Sequence, residues 1–317
     1  MITARAPGKL MLAGEYAVAL AEAPALAVAV ERHATVTVWE DPQVCGWRLS
    51  APDLGLKDAP LTHVPVVAAA VETVGPSGNG HLRVESDLGV GPHKPGLGGS
   101  AAITVAAMAA LCALERREAP SLKELVSAHR LAQGGRGSGY DVATAYHGGV
   151  CAYGWAAKRP LARALDWPEG LKGAAIFTGQ GSQTTRLLGR FACAEGRDGH
   201  LQEMGGAAET LIAAWESGDV AKILAAARAA EDAVVAADAA LNIGITASPH
   251  GALREAVESA GAVMRTSGAG GGDCVWALAA DDETLDRAVV QARRVGGERL
   301  DLLFPAAGCE VDEEEAR

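Results

Sequence analysis

A chain of 317 residues has room for two domains, and with 49% apolar residues it can bury a sizeable core, packed mainly through Ala, Val and Leu because aromatics make up only 4%. The formal net charge of -11 speaks against a nucleic-acid partner, which would need a basic face. It leaves open small anionic ligands, which need only a few cations and backbone N–H groups.

The six cysteines are widely and irregularly spaced without a C-x-x-C pair, so a reduced, cytoplasmic setting is expected. The start of the chain carries no long apolar run behind a basic segment. The apolar stretch 17–30 is broken by Glu22 and Pro24 and is too short to span a bilayer, so no membrane partner is expected.

In chain order, residues 28–39 (VAVERHATVTVW) alternate and are rich in β-branched side chains, predicting a strand, with 47–49 as a partner. Residues 64–74 read as a helix ended by Gly75-Pro76, and 81–86 as a further strand. A Gly- and Pro-dense loop, 89–99, opens into a helix over 100–114 whose faces are all small or apolar, as suits a helix buried between layers. Residues 121–131 form the next helix, with Ser121 and Glu124 as a capping box. A glycine turn at 134–139 leads into 140–146, and 148–153 reads as a short strand. The polar, irregular stretch 158–170 is taken as the domain boundary, giving domains 1–160 and 161–317. In the second half, strands are expected at 173–178, 263–266, 274–279 and 299–304, and helices at 202–217, 220–241, 250–260 and 283–295. The strands should form a small antiparallel sheet. The acidic run 310–315 reads as a solvated end.

Three glycine-rich segments carry the chemistry. Residues 92–102 (PHKPGLGGSAA) pass straight from loop to helix. Glycines let backbone N–H groups approach a ligand, and a helix start adds unpaired donors and partial positive charge, which together favour a polyphosphate. Ser100 sits where its hydroxyl could cap the helix or reach a phosphate or Mg²⁺; an ordinary capped turn is the equal alternative. The segment is neither a Walker A motif nor a G-x-G-x-x-G fingerprint. Residues 266–274 (TSGAGGGDC) place four glycines in five positions between strand-like flanks, a backbone entropy cost that suits admission of a ligand better than a plain hairpin. Residues 134–141 (GGRGSGYD) set Asp141 after a turn carrying Arg136 and Ser138. The carboxylate could orient a hydroxyl proton during phosphoryl transfer, or simply cap the following helix.

Together with Ala6-Pro7-Gly8-Lys9-Leu10 and Ala13-Gly14-Glu15-Tyr16-Ala17-Val18, these segments resemble, in order and spacing, the motifs of the GHMP kinases, the superfamily of galactokinase, homoserine kinase, mevalonate kinase and phosphomevalonate kinase. The A-G-E-Y-A form and the Asp directly after three glycines are similar to the phosphomevalonate kinase branch. The resemblance covers most of the chain. It implies an α+β, two-domain fold, with an N-terminal mixed α/β domain and a C-terminal ferredoxin-like domain, and ATP and Mg²⁺ as cofactors.

It also implies roles by position. Lys9 and Asp141 would be catalytic. Pro95, Gly96, Leu97, Gly98, Gly99, Ser100, Ala101, Gly270 and Gly271 would hold the nucleotide, and Ser100 the Mg²⁺. Glu15, Tyr16, Arg136, Ser138, Gly139, Ser267, Gly268 and Ala269 would face the acceptor. Two departures stand out. Gly99 replaces a serine common in the family, and the region of the Mg²⁺-binding Glu of mevalonate kinases reads Ala128-His129-Arg130-Leu131, with no carboxylate. The implied reaction is ATP-dependent phosphorylation of mevalonate 5-phosphate by a cytoplasmic monomer or homodimer. The alternatives are mevalonate kinase or another small-molecule kinase of the superfamily, mevalonate-diphosphate decarboxylase, and a non-catalytic nucleotide-binding regulator. A phosphorylated acceptor needs extra cations, for which Arg136 is the favoured candidate among Lys94, His129, Arg130, Arg136 and Arg186.

Overall fold

The computed structural model describes residues 1–89, 94–246 and 248–313. Pro92 and His93 of the first glycine-rich segment, and Glu314 and Glu315 of the acidic tail, lie outside them.

Strands β1 (Ile2–Ala13), β2 (Ala25–Glu40), β3 (Trp47–Ala51), β4 (Leu56–Pro60), β5 (Gly80–Ser86), β6 (Val150–Ala156) and β7 (Arg159–Leu165) build the first sheet. Strands β8 (Lys172–Phe177), β9 (Val263–Thr266), β10 (Cys274–Ala279) and β11 (Glu298–Arg299) build the second, and β12 (Glu310–Glu313) returns to the free edge of β1. The helices are α1 (Ala17–Leu20), α2 (Pro65–Val74), α3 (Gly99–Leu114), α4 (Leu122–Ala132), α5 (Tyr140–His147), α6 (Thr184–Cys193), α7 (Arg197–Ser217), α8 (Val220–Leu241), α9 (His250–Ser259) and α10 (Asp282–Arg294).

The first sheet runs β12-β1-β2-β5-β3-β4, and the long strand β2 serves two partners. Its second half, from Ala34 to Glu40, pairs with β5, while Ala25 to Val28 pairs with β6. The alternating buried and half-exposed residues of that second half follow the pleat. Helix α3 lies on β1 and β2 and is covered in turn by α2 and α5. Its alanines, buried from Ala101 to Ala110, let sheet and helices approach closely on every side. Helix α4 opens on the expected capping box, with the Ser121 hydroxyl accepting from the Glu124 N–H and the Glu124 carboxylate accepting from the Ser121 N–H.

The second sheet, ordered β11-β8-β10-β9, is antiparallel throughout, as expected. Two apolar bodies flank it. Leu253, Val257, Leu285 and Ala288 of α9 and α10 pack with Ile176 and Met264. Trp276 and Leu278 face the other way, into the main core shared with α7 and α8.

Strands β1 and β4 and helices α1 and α6 were not expected from the sequence, and three further stretches depart from expectation. Strand β7 occupies most of the stretch read as irregular, and it pairs with β6, so the first sheet runs past residue 160. The acidic tail is not simply solvated: Glu310–Glu313 pairs by backbone with the start of β1 while its side chains stay exposed. The strand expected over 299–304 is only Glu298–Arg299. Leu300 still donates to the Ala175 carbonyl at 2.9 Å, but the chain then turns inward to set Phe304 against Trp167 and Trp276, at ring separations of 4.9 and 5.0 Å. None of the described helices is long and apolar enough to cross a membrane, and the six cysteines are free.

Candidate active site

Strand β1 and the glycine loop before α3 are built against each other. The Lys9 N–H donates to the Leu97 carbonyl at 2.8 Å, and the Lys9 ammonium donates to the Gly96 carbonyl at 3.1 Å. A side chain at Gly98 could not coexist with this seat: a Cβ there would lie 2.9 Å from Cε and 3.0 Å from Cγ of Lys9, and the residue has φ 81°. Gly98 is also the N-cap of α3, so the lysine stem rests on the point where loop becomes helix. Loop and strand thus bring a buried ammonium and the free N–H groups of a helix start to one place, an arrangement suited to a polyphosphate.

The electrostatics of Lys9 follow from its neighbours. Burial alone would lower its pKa, but Tyr140, Asp141 and Asp273 outweigh that and raise it above the ordinary lysine value. The ammonium stands 5.4 Å from the centre of the Tyr140 ring. Tyr140, which sequence reasoning passed over, opens α5 beside Asp141, and burial raises its phenol pKa despite Lys9. Asp141 lies in the first turn of α5, where its Oδ1 accepts from the Val142 N–H at 3.0 Å.

Ser100 does not cap α3. It lies in the first turn, exposed, with its hydroxyl 3.2 Å from Nε2 of the buried His129, which is also 3.0 Å from the Gln133 amide nitrogen. Leu97 is buried beneath the loop, Ala101 beneath the helix start, and the Pro95 carbonyl accepts from the Cys274 thiol at 3.2 Å.

On the acceptor side, the turn 134–139 is held from behind. Arg130 donates through Nε to the Gly137 carbonyl at 2.8 Å and lies 4.6 Å over the Trp155 ring, and the Tyr153 hydroxyl donates to the Ser138 carbonyl at 2.7 Å. Arg130 is therefore spent on the loop, whereas Arg136 is exposed at its tip. Gly139 caps α5, and a Cβ on it would meet Val126 at 2.8 Å and the Tyr153 hydroxyl at 2.9 Å.

Several residues expected to face a ligand make internal contacts. Glu15, buried, pairs with the fully buried Arg265, which also donates to Glu231 at 2.7 Å and to the Leu12 carbonyl at 2.9 Å. The Tyr16 hydroxyl donates to the Ala269 carbonyl, and its ring stacks on Phe191 at 4.5 Å. The Ser267 hydroxyl accepts from the Met11 N–H at 2.9 Å. Glu15, Tyr16, Ser267 and the Ala269 carbonyl thus tie the two halves together. A Cβ at Gly268 would meet only open space. Of the expected phosphate donors, the Gly271 N–H is engaged, donating to the Ile245 carbonyl at 2.6 Å, and the Gly270 carbonyl accepts from the Ser182 hydroxyl. The part of this loop that reaches the first glycine loop is Asp273. A Cβ at Gly96 would fall 2.3 Å from its Oδ2, which gives a reason for glycine at that position. The signal was present in the sequence as a charged residue closing a glycine run.

Among the described residues, no cluster of three or more His, Cys, Asp and Glu side chains could hold a metal ion. A Mg²⁺ carried by nucleotide oxygens and water, with the exposed Ser100 hydroxyl as a protein ligand, fits this donor set; when bound it would neutralise phosphate charge.

This conjunction of fold, helix-start loop and buried lysine defines a small-molecule kinase of the GHMP class. Residues 63–149 match the family described as GHMP kinases N terminal domain. The chain is 32% identical to the phosphomevalonate kinase of Streptomyces sp. (strain CL190), over 92% of this chain and 93% of that one, and it belongs to the GHMP kinases, a family of ATP-dependent phosphotransferases. Among solved structures, a Lin0012 protein from Listeria innocua superposes with TM-score 0.85 at 23% identity, covering 99% of each chain. Streptococcus pneumoniae phosphomevalonate kinase in complex with phosphomevalonate and AMPPNP superposes with TM-score 0.83 at 19% identity, covering 96% of this chain and 99% of that one. The two-domain GHMP fold expected from the motifs is the fold of these neighbours.

Proposed function

We propose that the protein transfers the γ-phosphoryl group of ATP to the 5-phosphate of mevalonate 5-phosphate, giving mevalonate 5-diphosphate and ADP, with residues 1–160 supplying the phosphate loop and the rest closing over it. The observation that carries this reading is the Lys9 ammonium, 3.1 Å from the Gly96 carbonyl at the start of α3. Similarity along nearly the whole chain to a phosphomevalonate kinase supports the choice of acceptor.

The acceptor is a phosphate oxygen, already largely ionised near neutral pH, so a strong general base is unnecessary. Positioning and charge neutralisation carry the acceleration. The helix start and the loop N–H groups hold the polyphosphate. Lys9, whose pKa is raised, stays an ammonium throughout the working range and bridges donor and acceptor phosphates. Asp141 orients the acceptor from the first turn of α5, and Arg136, exposed on the neighbouring turn, grips its phosphate end with two bonds. The free cysteines accord with a reduced, cytoplasmic setting.

The test is ADP and CO₂ release measured in parallel with mevalonate, mevalonate 5-phosphate, mevalonate 5-diphosphate, homoserine and galactose. Turnover with mevalonate 5-phosphate alone, without CO₂ release, supports the proposal. Preference for mevalonate would make the protein a mevalonate kinase. CO₂ release from the diphosphate would make it a decarboxylase, and nucleotide binding without turnover a regulator.

A further inference from the structure

The loop between β9 and β10 delivers a carboxylate to the phosphate loop. The Asp273 backbone is pinned twice: its N–H donates to the Gln180 carbonyl at 2.6 Å, and its carbonyl accepts from Thr178 at 2.9 Å. One side-chain oxygen, Oδ1, accepts from the Ser182 N–H at 2.8 Å. The other, Oδ2, is turned onto Gly96, the residue whose carbonyl holds the Lys9 ammonium. A latch between two loops would need only the first of these oxygens, and a neutral amide would supply it.

The second oxygen adds a negative charge where a polyanion is to bind. Lys9 already answers to Asp141 and Tyr140 as well as to Asp273, so one buried ammonium faces two carboxylates before any nucleotide arrives. A bare triphosphate entering this place meets repulsion from Asp273 and Asp141 that offsets part of the attraction of Lys9, Lys94 and the helix start. A triphosphate carrying a divalent cation does not, because the cation is a hard acceptor of carboxylate oxygen, directly or through its waters. Resting on the phosphate-loop reading above, we infer that Asp273 makes nucleotide binding depend on the accompanying divalent cation, its carboxylate facing that cation from the second half of the chain. This supplies, from a different loop, the acidic group missing from the stretch around His129. Burial raises the Asp273 pKa, with the Ser182 N–H, Lys9 and Lys94 opposing.

The experiment is calorimetric titration of ATP into wild type, Asp273→Asn and Asp273→Gly, each in excess EDTA and in Mg²⁺. Both replacements tolerate the left-handed backbone of Asp273, φ 55°. In wild type, Mg²⁺ is expected to tighten ATP binding strongly. In both variants the ratio of metal-free to Mg²⁺-bound Kd should fall roughly tenfold, chiefly because metal-free ATP binds more tightly once one close negative charge is gone. An unchanged ratio in a variant that still binds ATP overturns the inference and leaves the phosphate loop standing. Failure of wild type to bind ATP in either buffer overturns both.

Discussion

Replacing Lys9 with methionine keeps the stem that packs on Gly98 and removes only the charge and its bond to the Gly96 carbonyl. Two unit charges about 4 Å apart attract by about 4 kcal/mol at an effective dielectric constant of about 20, a value that suits a site lined by protein on most sides. Part of that attraction already exists in the ground state, so about 3–4 kcal/mol of differential stabilisation is at stake, a loss of about 10²- to 10³-fold in kcat. Asp141→Asn should cost less, because the acceptor oxygen needs orientation more than deprotonation. The assay is steady-state ADP release from saturating ATP and mevalonate 5-phosphate, with thermal unfolding as a check that the variant is folded. A fall in kcat of less than about tenfold in Lys9→Met, or an equal or larger fall in Asp141→Asn, would refute the charge-neutralisation mechanism.

Arg136→Ala should raise KM for the phosphorylated acceptor about 10- to 100-fold with a smaller change in kcat, measured by the same assay. Gly96→Ala should abolish nucleotide binding in a titration, because its methyl would meet the Asp273 carboxylate and the pinned loop behind it. Arg265→Met should cost about 3–5 kcal/mol in denaturant unfolding, since Glu15 and Glu231 would remain buried without their shared cation. Asp238 accepts from the N–H groups of Gly244, Ile245 and Thr246 and from the Thr246 hydroxyl. Burial opposes its charge, but those bonds prevail and hold its pKa below the ordinary value of 3.8. A depressed folded pKa contributes stability above the unfolded value and loses it as the pH falls through the folded one, so Asp238→Asn should lose stability near neutrality and flatten the decline in stability below about pH 4, read from unfolding curves across pH.

Most of the fold could be read from the chain because most elements bury one face and so show a period. Strand β1 was missed for the opposite reason. From Ala6 onward it is buried on both faces, so it does not alternate, and Pro7 and Gly8 look like a break although the ladder merely shifts register there. Strand β12 was missed because its charges describe its side chains, which are exposed, and not its backbone, which is paired. Within the site, Lys9 and the loop before α3 were legible as a motif, since both contacts arise from one strand meeting one loop. Glu15, Tyr16 and Ser267, assigned to the acceptor side, also bond to partners some 250 positions away that the sequence could not show: Arg265 for Glu15, the Ala269 carbonyl for Tyr16 and Met11 for Ser267. No local pattern distinguishes a polar side chain bound for a ligand from one bound for a distant strand. Asp273 was noticed as a motif letter, but its meaning depends on a contact with Gly96 that only the folded chain creates.

The strand that carries Lys9 is finished by the far half of the molecule. The Met11 N–H is met by Ser267, the Met11 carbonyl by the Trp276 indole at 3.0 Å, and the Leu12 carbonyl by Arg265. On a ribosome these partners emerge more than 250 residues after the groups they satisfy. The nascent first half therefore waits with bare main-chain groups beside its lysine, and a fragment ending after β7 would be a chaperone client rather than a weak enzyme.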